Sequence, residues 1–172
     1  MVPVLARLGP RLLCGAIAAA VVVCHASRAQ AYQGPPPVSE AEVRGFIAEW
    51  GQATETCDHA VMAYYLLPTA ELTFRAKDRP DVMMSGEQYL RFFREYCEPL
   101  AQEYDVKNVR VKVRKYRAEV RARAWGGAWF RGIFPAVEVD YIEETIILGR
   151  RGRDLKVERL SQYAVLKAEE GE

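Results

Sequence analysis

Apolar residues recur at three- and four-residue steps from Val43 through Phe46, Ile47 and Trp50, which predicts a helix with one buried face. Ser39 and Glu42 stand before it as a capping box, in which serine oxygen and glutamate carboxylate each satisfy an amide of the opening turn. "TCDHAVMAYYLL" (56–67) predicts a second, shorter helix with Cys57, Val61 and Tyr64 on one stripe, ended by Pro68. "TAELTFRA" (69–76) alternates and is β-branched enough for a short strand. Ser85 and Gln88 then form a second capping box. Behind it Tyr89, Phe92, Phe93, Tyr96, Cys97, Leu100, Ala101 and Tyr104 step by three and four, which predicts a long helix burying all eight. Pro99 within that stripe predicts a kink or an early end, since it removes an amide donor and crowds the carbonyl of Glu95.

From Asn108 the period becomes two. Val109, Val111 and Val113 alternate with Arg110, Lys112 and Arg114, and Ala118, Val120, Ala122 and Ala124 alternate with Glu119, Arg121 and Arg123. Two further strands span about 136–148 and 155–166, both changing phase partway. In the first, Val137, Val139 and Tyr141 share a face, yet beyond Tyr141 the apolar positions are Ile142, Ile146 and Leu148. A β-bulge in a long bent strand produces such a slip. "RRGRD" (150–154) is the turn between these two strands, with Gly152 free to take a positive φ.

The ends change what needs a fold. Arg7 and Arg11, the apolar run Leu12–Cys24 and the small-residue pattern Ala29-Gln30-Ala31 read as an export signal over 1–31. The run is short for a membrane span. Residues 32–38, "YQGPPPV", read as a proline-rich lead-in, 39–168 as a single domain and 169–172 as a disordered tail. Loss of the leader removes three arginines and no acid from a chain of 24 basic and 23 acidic residues. That balance argues against a dedicated nucleic-acid binder. The expected compartment is periplasmic or secreted, with no stable membrane span after signal removal.

Helix, helix, short strand, long helix and four antiparallel strands with bulged bends resemble the nuclear transport factor 2-like superfamily, which includes the SnoaL-like cyclases and ketosteroid isomerase. The stretches are "VRGFIAEWGQATETCDHAVMAYYLLPTAELTF", "SGEQYLRFFREY", "DVKNVRVKVRKYRAEVRARA" and "ETIILGRRGRDLKVERLSQY". The resemblance implies an α+β fold: two short N-terminal helices and one long helix on a strongly bent antiparallel sheet, a cone-shaped α+β barrel with a pocket at its open end. It also implies that the helices bearing Cys57 and Cys97 pack together.

Those two are the cysteines left after the leader. A Cys57–His59 nucleophile pair is disfavoured because residues two apart on a helix diverge, and two cysteines with one histidine make no recognised zinc spacing. Export favours a disulfide, with Asp58 as helix-start charge and His59 as an exposed neighbour. No cofactor or metal is called for. The ladder Arg110, Lys112, Arg114, Arg121 and Arg123 is expected to pair across the sheet with Glu119, Glu138, Asp140, Glu144 and Glu158 as a solvated face. "WGGAWFRGIFP" (125–135) either plugs the open end of the cone or docks a ligand there. The reading is a binder of a small hydrophobic molecule or an envelope protein partner, with a homodimer possible. Tyr96, Tyr104, Trp125, Trp129 and Phe130 rim its site. The alternative is an isomerase or hydrolase of ketosteroid-isomerase type, using a pocket carboxylate as general base, with Asp58, Tyr64 and Tyr96 as the group to mutate.

Overall fold

The structure, a computed structural model, describes residues 34–97, 104–126, 130–134 and 138–167. The leader, Pro99, Trp129 and the tail 169–172 lie outside the described residues.

Both capping boxes form. Ser39 opens helix α1 (Glu40–Thr56), where its Oγ accepts from the Glu42 amide at 3.2 Å. Ser85 opens α3 (Gly86–Tyr96), where its amide donates to Gln88 Oε1 at 2.7 Å. Val43, Phe46, Trp50 and Ala53 are the buried face of α1.

The second helix departs from its expected stripe. Cys57 does not belong to it. That residue ends α1 in the left-handed conformation (φ 56°), and Asp58 starts a new helix, α2 (His59–Tyr65). The phase is therefore reset, and Met62 and Tyr65 are buried while Tyr64 is exposed. Pro68 falls in β1 (Leu66–Ala76) rather than at the helix end, within a register irregularity between Leu66 and Glu71, where a missing amide donor is tolerated.

α3 stops at Tyr96, early as expected for a chain approaching Pro99, so the long stripe is divided. Tyr89, Phe93 and Cys97 are buried, Tyr96 is exposed, and Tyr104 opens a strand instead of closing a helix.

The strands are β1, β2 (Val82–Ser85), β3 (Tyr104–Arg114), β4 (Arg117–Gly126), β5 (Val139–Arg151) and β6 (Asp154–Leu166); a short helix α4 (Phe130–Ile133) follows β4. They form one six-stranded open sheet in the order β2-β1-β6-β5-β4-β3. The sheet is mixed, because β1 runs parallel to β6 while every other pair is antiparallel. Register shifts occur where the sequence changes phase, between Val139 and Tyr141 on β5 and opposite Glu158 on β6. Gly152 turns the β5–β6 hairpin at φ 64°.

One sheet face meets the helices. Leu72, Phe74, Val120, Ile142, Ile146, Leu160 and Ala164 pack there with the buried faces of α1 and α3. Cys57 and Cys97 are disulfide-bonded with a Cα separation of 5.7 Å, tying the α1–α2 junction to the end of α3.

Candidate functional site

Three of the buried polar residues meet on the helix-facing side of the sheet. Glu144 on β5 and Gln162 on β6 are cross-strand partners, 3% and 2% exposed. Tyr104, at the start of β3, donates its hydroxyl to Glu144 Oε2 at 2.8 Å, and Gln162 Nε2 donates to Oε1 at 3.0 Å. Gln162 Oε1 is buried without a hydrogen bond among the described residues.

The electrostatics follow from the surroundings. Burial pushes the Glu144 carboxyl above the usual carboxylate range, and the two donated hydrogen bonds only partly oppose it. Burial, then the Glu144 charge and hydrogen bond, hold the Tyr104 hydroxyl well above the usual phenol range. Burial with the same charge raises Tyr89 on α3, whose ring stacks on Phe74 at 5.7 Å. Three titratable groups thus share an apolar interior and act on one another through a carboxyl.

This placement corrects the expectation that Glu144 pairs with arginines on the outer face. Beyond the irregularity at Val139–Tyr141 the inward positions of β5 are Ile142, Glu144, Ile146 and Leu148. The signal was present, since 144 shares the parity of the three apolar positions around it.

The candidate rings do not form one set. Tyr104 lies inside. Tyr96 is 39% exposed and stacks on Phe92 at 4.8 Å. Trp125 alternates with buried Ala124, so it faces the other side, near Tyr141 (5.8 Å) and the Lys107 ammonium (5.5 Å). Trp129 and the Phe130 side chain lie outside the described residues. Of the loop that follows β4, Phe134 is buried in the core, and a Cβ on Gly132 would lie 3.0 Å from the Phe92 ring, so α4 sits directly on α3.

Nor do Asp58, Tyr64 and Tyr96 share a hydrogen bond. Asp58 Oδ1 accepts from the Ala60 and Val61 amides at 3.0 and 3.1 Å, capping α2. Asp58→Ala is expected to cost about 1 kcal/mol of stability and Asp58→Asn much less, as for a helix cap; urea denaturation of both variants checks this. Tyr64 lies under the Lys156 ammonium, 3.6 Å from its ring centroid. His59 is half-buried rather than exposed. Its ring meets Phe93 edge-on at 5.3 Å, and both ring nitrogens lack a hydrogen bond among the described residues. No group of three or more His, Cys, Asp or Glu among the described residues is arranged to hold a metal ion.

No family model and no curated protein matches the sequence. Solved structures match in shape. One is a nuclear transport factor 2-like protein of unknown function from Pseudomonas putida, with 13% identity, 76% of this chain and 95% of that chain covered, and a TM-score of 0.59. The chain has the nuclear transport factor 2-like fold. A second protein of this fold, from Cytophaga hutchinsonii, is 12% identical, with 74% and 100% covered and a TM-score of 0.57. A protein from Novosphingobium aromaticivorans named provisionally as a scytalone dehydratase is 8% identical, with 73% and 83% covered and a TM-score of 0.57. At these identities the likeness establishes the nuclear transport factor 2-like architecture alone.

Proposed function

We propose that this is an exported nuclear transport factor 2-like domain that receives a small, uncharged, largely apolar molecule on the inner face of its sheet. Glu144, Tyr104 and Gln162 would supply the polar contacts. The supporting observation is a carboxyl held at 3% exposure between two hydrogen-bond donors on an otherwise apolar face. Burying such a group costs several kcal/mol when it is charged, so its position calls for a use. In its neutral form Glu144 offers a donor, and Gln162 Oε1 offers an acceptor. A carbonyl or hydroxyl on an apolar ring suits that pair. Export is supported by the signal-like pattern of 1–31 and by the Cys57–Cys97 bridge.

A second reading, proton transfer of the isomerase or dehydratase kind, is favoured by the direct contact of the Glu144 carboxyl with the Tyr104 hydroxyl. Its acid-base group is Glu144 in place of Asp58. The provisional dehydratase names of structural neighbours from Streptomyces avermitilis and Novosphingobium aromaticivorans agree with it.

Glu144→Gln tests the site in two ways. The folded state holds the Glu144 proton above the ordinary pKa of 4.5. It therefore binds more protons than the unfolded chain in that window, and its stability declines as pH rises through it. The variant lacks this decline, so it should gain on the wild type as pH moves from 4 to 8 (denaturation midpoints at a series of pH values). A panel of uncharged cyclic ketones and phenols, read by thermal shift, should include members that stabilise the wild type and lose their effect in the variant. If no member of a broad panel does so, or the variant responds equally, the assignment of the ligand site to Glu144 fails.

A further inference from the structure

Charge is unevenly placed on the other side of the sheet. Residues 104–126 carry eight basic side chains and two acidic ones, in a chain whose totals are 24 and 23. β3 is an edge strand, and its register with β4 sets Lys107 opposite Arg123, Arg110 opposite Arg121 and Arg114 opposite Arg117. Like charges directly opposed weaken a strand pair.

Acids relieve part of this repulsion. Arg117 pairs with Glu158 at 2.9 Å, Arg121 with Glu119 at 2.6 Å and Arg123 with Glu143 at 3.2 Å. Glu144, turned inward, contributes nothing here. Arg110, Lys112 and Arg114 are exposed and have no ion pair among the described residues. Lys112 faces Glu119 in register, but that carboxylate is bonded to Arg121.

The tip of the same hairpin exposes an aromatic ring among its cations. Tyr116 is 41% exposed, and the Lys115 ammonium lies 5.0 Å from its ring centroid. Its backbone is anchored from behind: the Val38 amide donates to Lys115 O and the Arg150 amide to Tyr116 O, each at 2.9 Å. Cations on an edge strand guard it against pairing with other chains. That role explains the arginines but not an exposed tyrosine on a fixed tip beside them.

We propose that the β3–β4 hairpin is a peripheral docking surface for an anionic lipid bilayer. Arg110, Lys112, Arg114 and Lys115 meet lipid phosphates, and Tyr116 sits at headgroup depth, where tyrosine is favoured. No helix among the described residues is long and apolar enough to cross a membrane. It is independent of the Glu144 site.

The test is co-sedimentation of the full chain with phosphatidylcholine vesicles, with and without phosphatidylglycerol, at low and high salt. Binding should require phosphatidylglycerol and weaken with salt. Arg110→Gln, Lys112→Gln and Arg114→Gln should each reduce it about fivefold and the triple variant roughly 100-fold. The triple variant should melt no lower than the wild type, because opposed cations are removed. Arg91→Gln with Arg94→Gln on α3 should change nothing, and Tyr116→Ser should weaken the binding that remains at high salt. Equal binding to pure phosphatidylcholine, as the apolar stretch at 12–24 would cause, overturns the proposal. So does undiminished binding by the single variants. Tighter binding to duplex DNA at equal phosphate concentration would reassign the surface to nucleic acid. Aggregation of the triple variant with no vesicle binding by the wild type would reduce the cations to an edge guard.

Discussion

Replacing both bridge cysteines, Cys57→Ala with Cys97→Ala, is expected to lower the unfolding free energy by about 4 kcal/mol. The chain between them spans 40 positions, and closing a loop of that length removes roughly this much entropy from the unfolded ensemble. The loss is a large fraction of the 5–15 kcal/mol that holds a typical domain together. The bridge also joins elements that packing alone links weakly. Cys57 is the left-handed end of α1, and Cys97 is a fully buried residue that ends α3. Urea denaturation of the double variant measures the effect, and a loss below about 1 kcal/mol would mean that the unfolded chain is already restricted there.

The second large effect is expected at Glu42, and its sign of asymmetry is the informative part. Arg150, with a side chain 1% exposed, donates to both Glu42 oxygens at 2.5 and 2.6 Å and also to the carbonyls of Arg153 and Pro37. Glu42 is 38% exposed. Glu42→Gln therefore leaves a buried guanidinium without its counter-charge and should cost about 3 kcal/mol. Arg150→Met leaves a carboxylate that water reaches and two carbonyls without their donor, but no buried charge, and should cost about half as much. The double variant should resemble Arg150→Met, because the pair acts as one unit. Equal costs for the two single variants would refute this account.

The pair also sets an acid limit. The Arg150 hydrogen bonds, followed by the contacts with Ser39, hold Glu42 below the usual carboxylate range despite partial burial. The unfolded chain then binds the proton more readily, so this contribution is complete above the ordinary value of 4.5 and disappears as pH falls below it. Glu144 acts in the opposite sense above the same value. Wild-type stability should accordingly peak at mildly acid pH, with Glu42→Gln flattening the acid side and Glu144→Gln the other.

Much of this architecture was legible locally. Ser39–Glu42 and Ser85–Gln88 announce helix starts because a side-chain oxygen three residues from an acid or amide satisfies backbone donors without outside help. The change of parity after Tyr141 announced a break in the ladder, since side chains alternate strictly between faces. The pairing of Cys57 with Cys97 was legible as an expectation, because reading 1–31 as an export signal sets the other two cysteines aside. Tyr104 was misread because three-four spacing continues across 97–104 by coincidence, and a spacing does not reveal that α3 has already ended. The interior placement of Glu144 was missed for another reason. A charged residue between apolar ones reads as outward-facing until Tyr104 and Gln162, 40 and 18 positions away, are seen to hold it.

Near-neighbour chemistry alone determined the caps, the turn at Gly152 and the alternating period of the long strands, because each depends on groups within a few residues. Strand order, the parallel approach of β1 to β6, the opposition of arginine to arginine across β3 and β4, and the enclosure of Glu144 were decided only in three dimensions. These depend on which distant segments lie side by side, and the free energy that selects them comes from burial shared across the whole sheet rather than from any one stretch of chain.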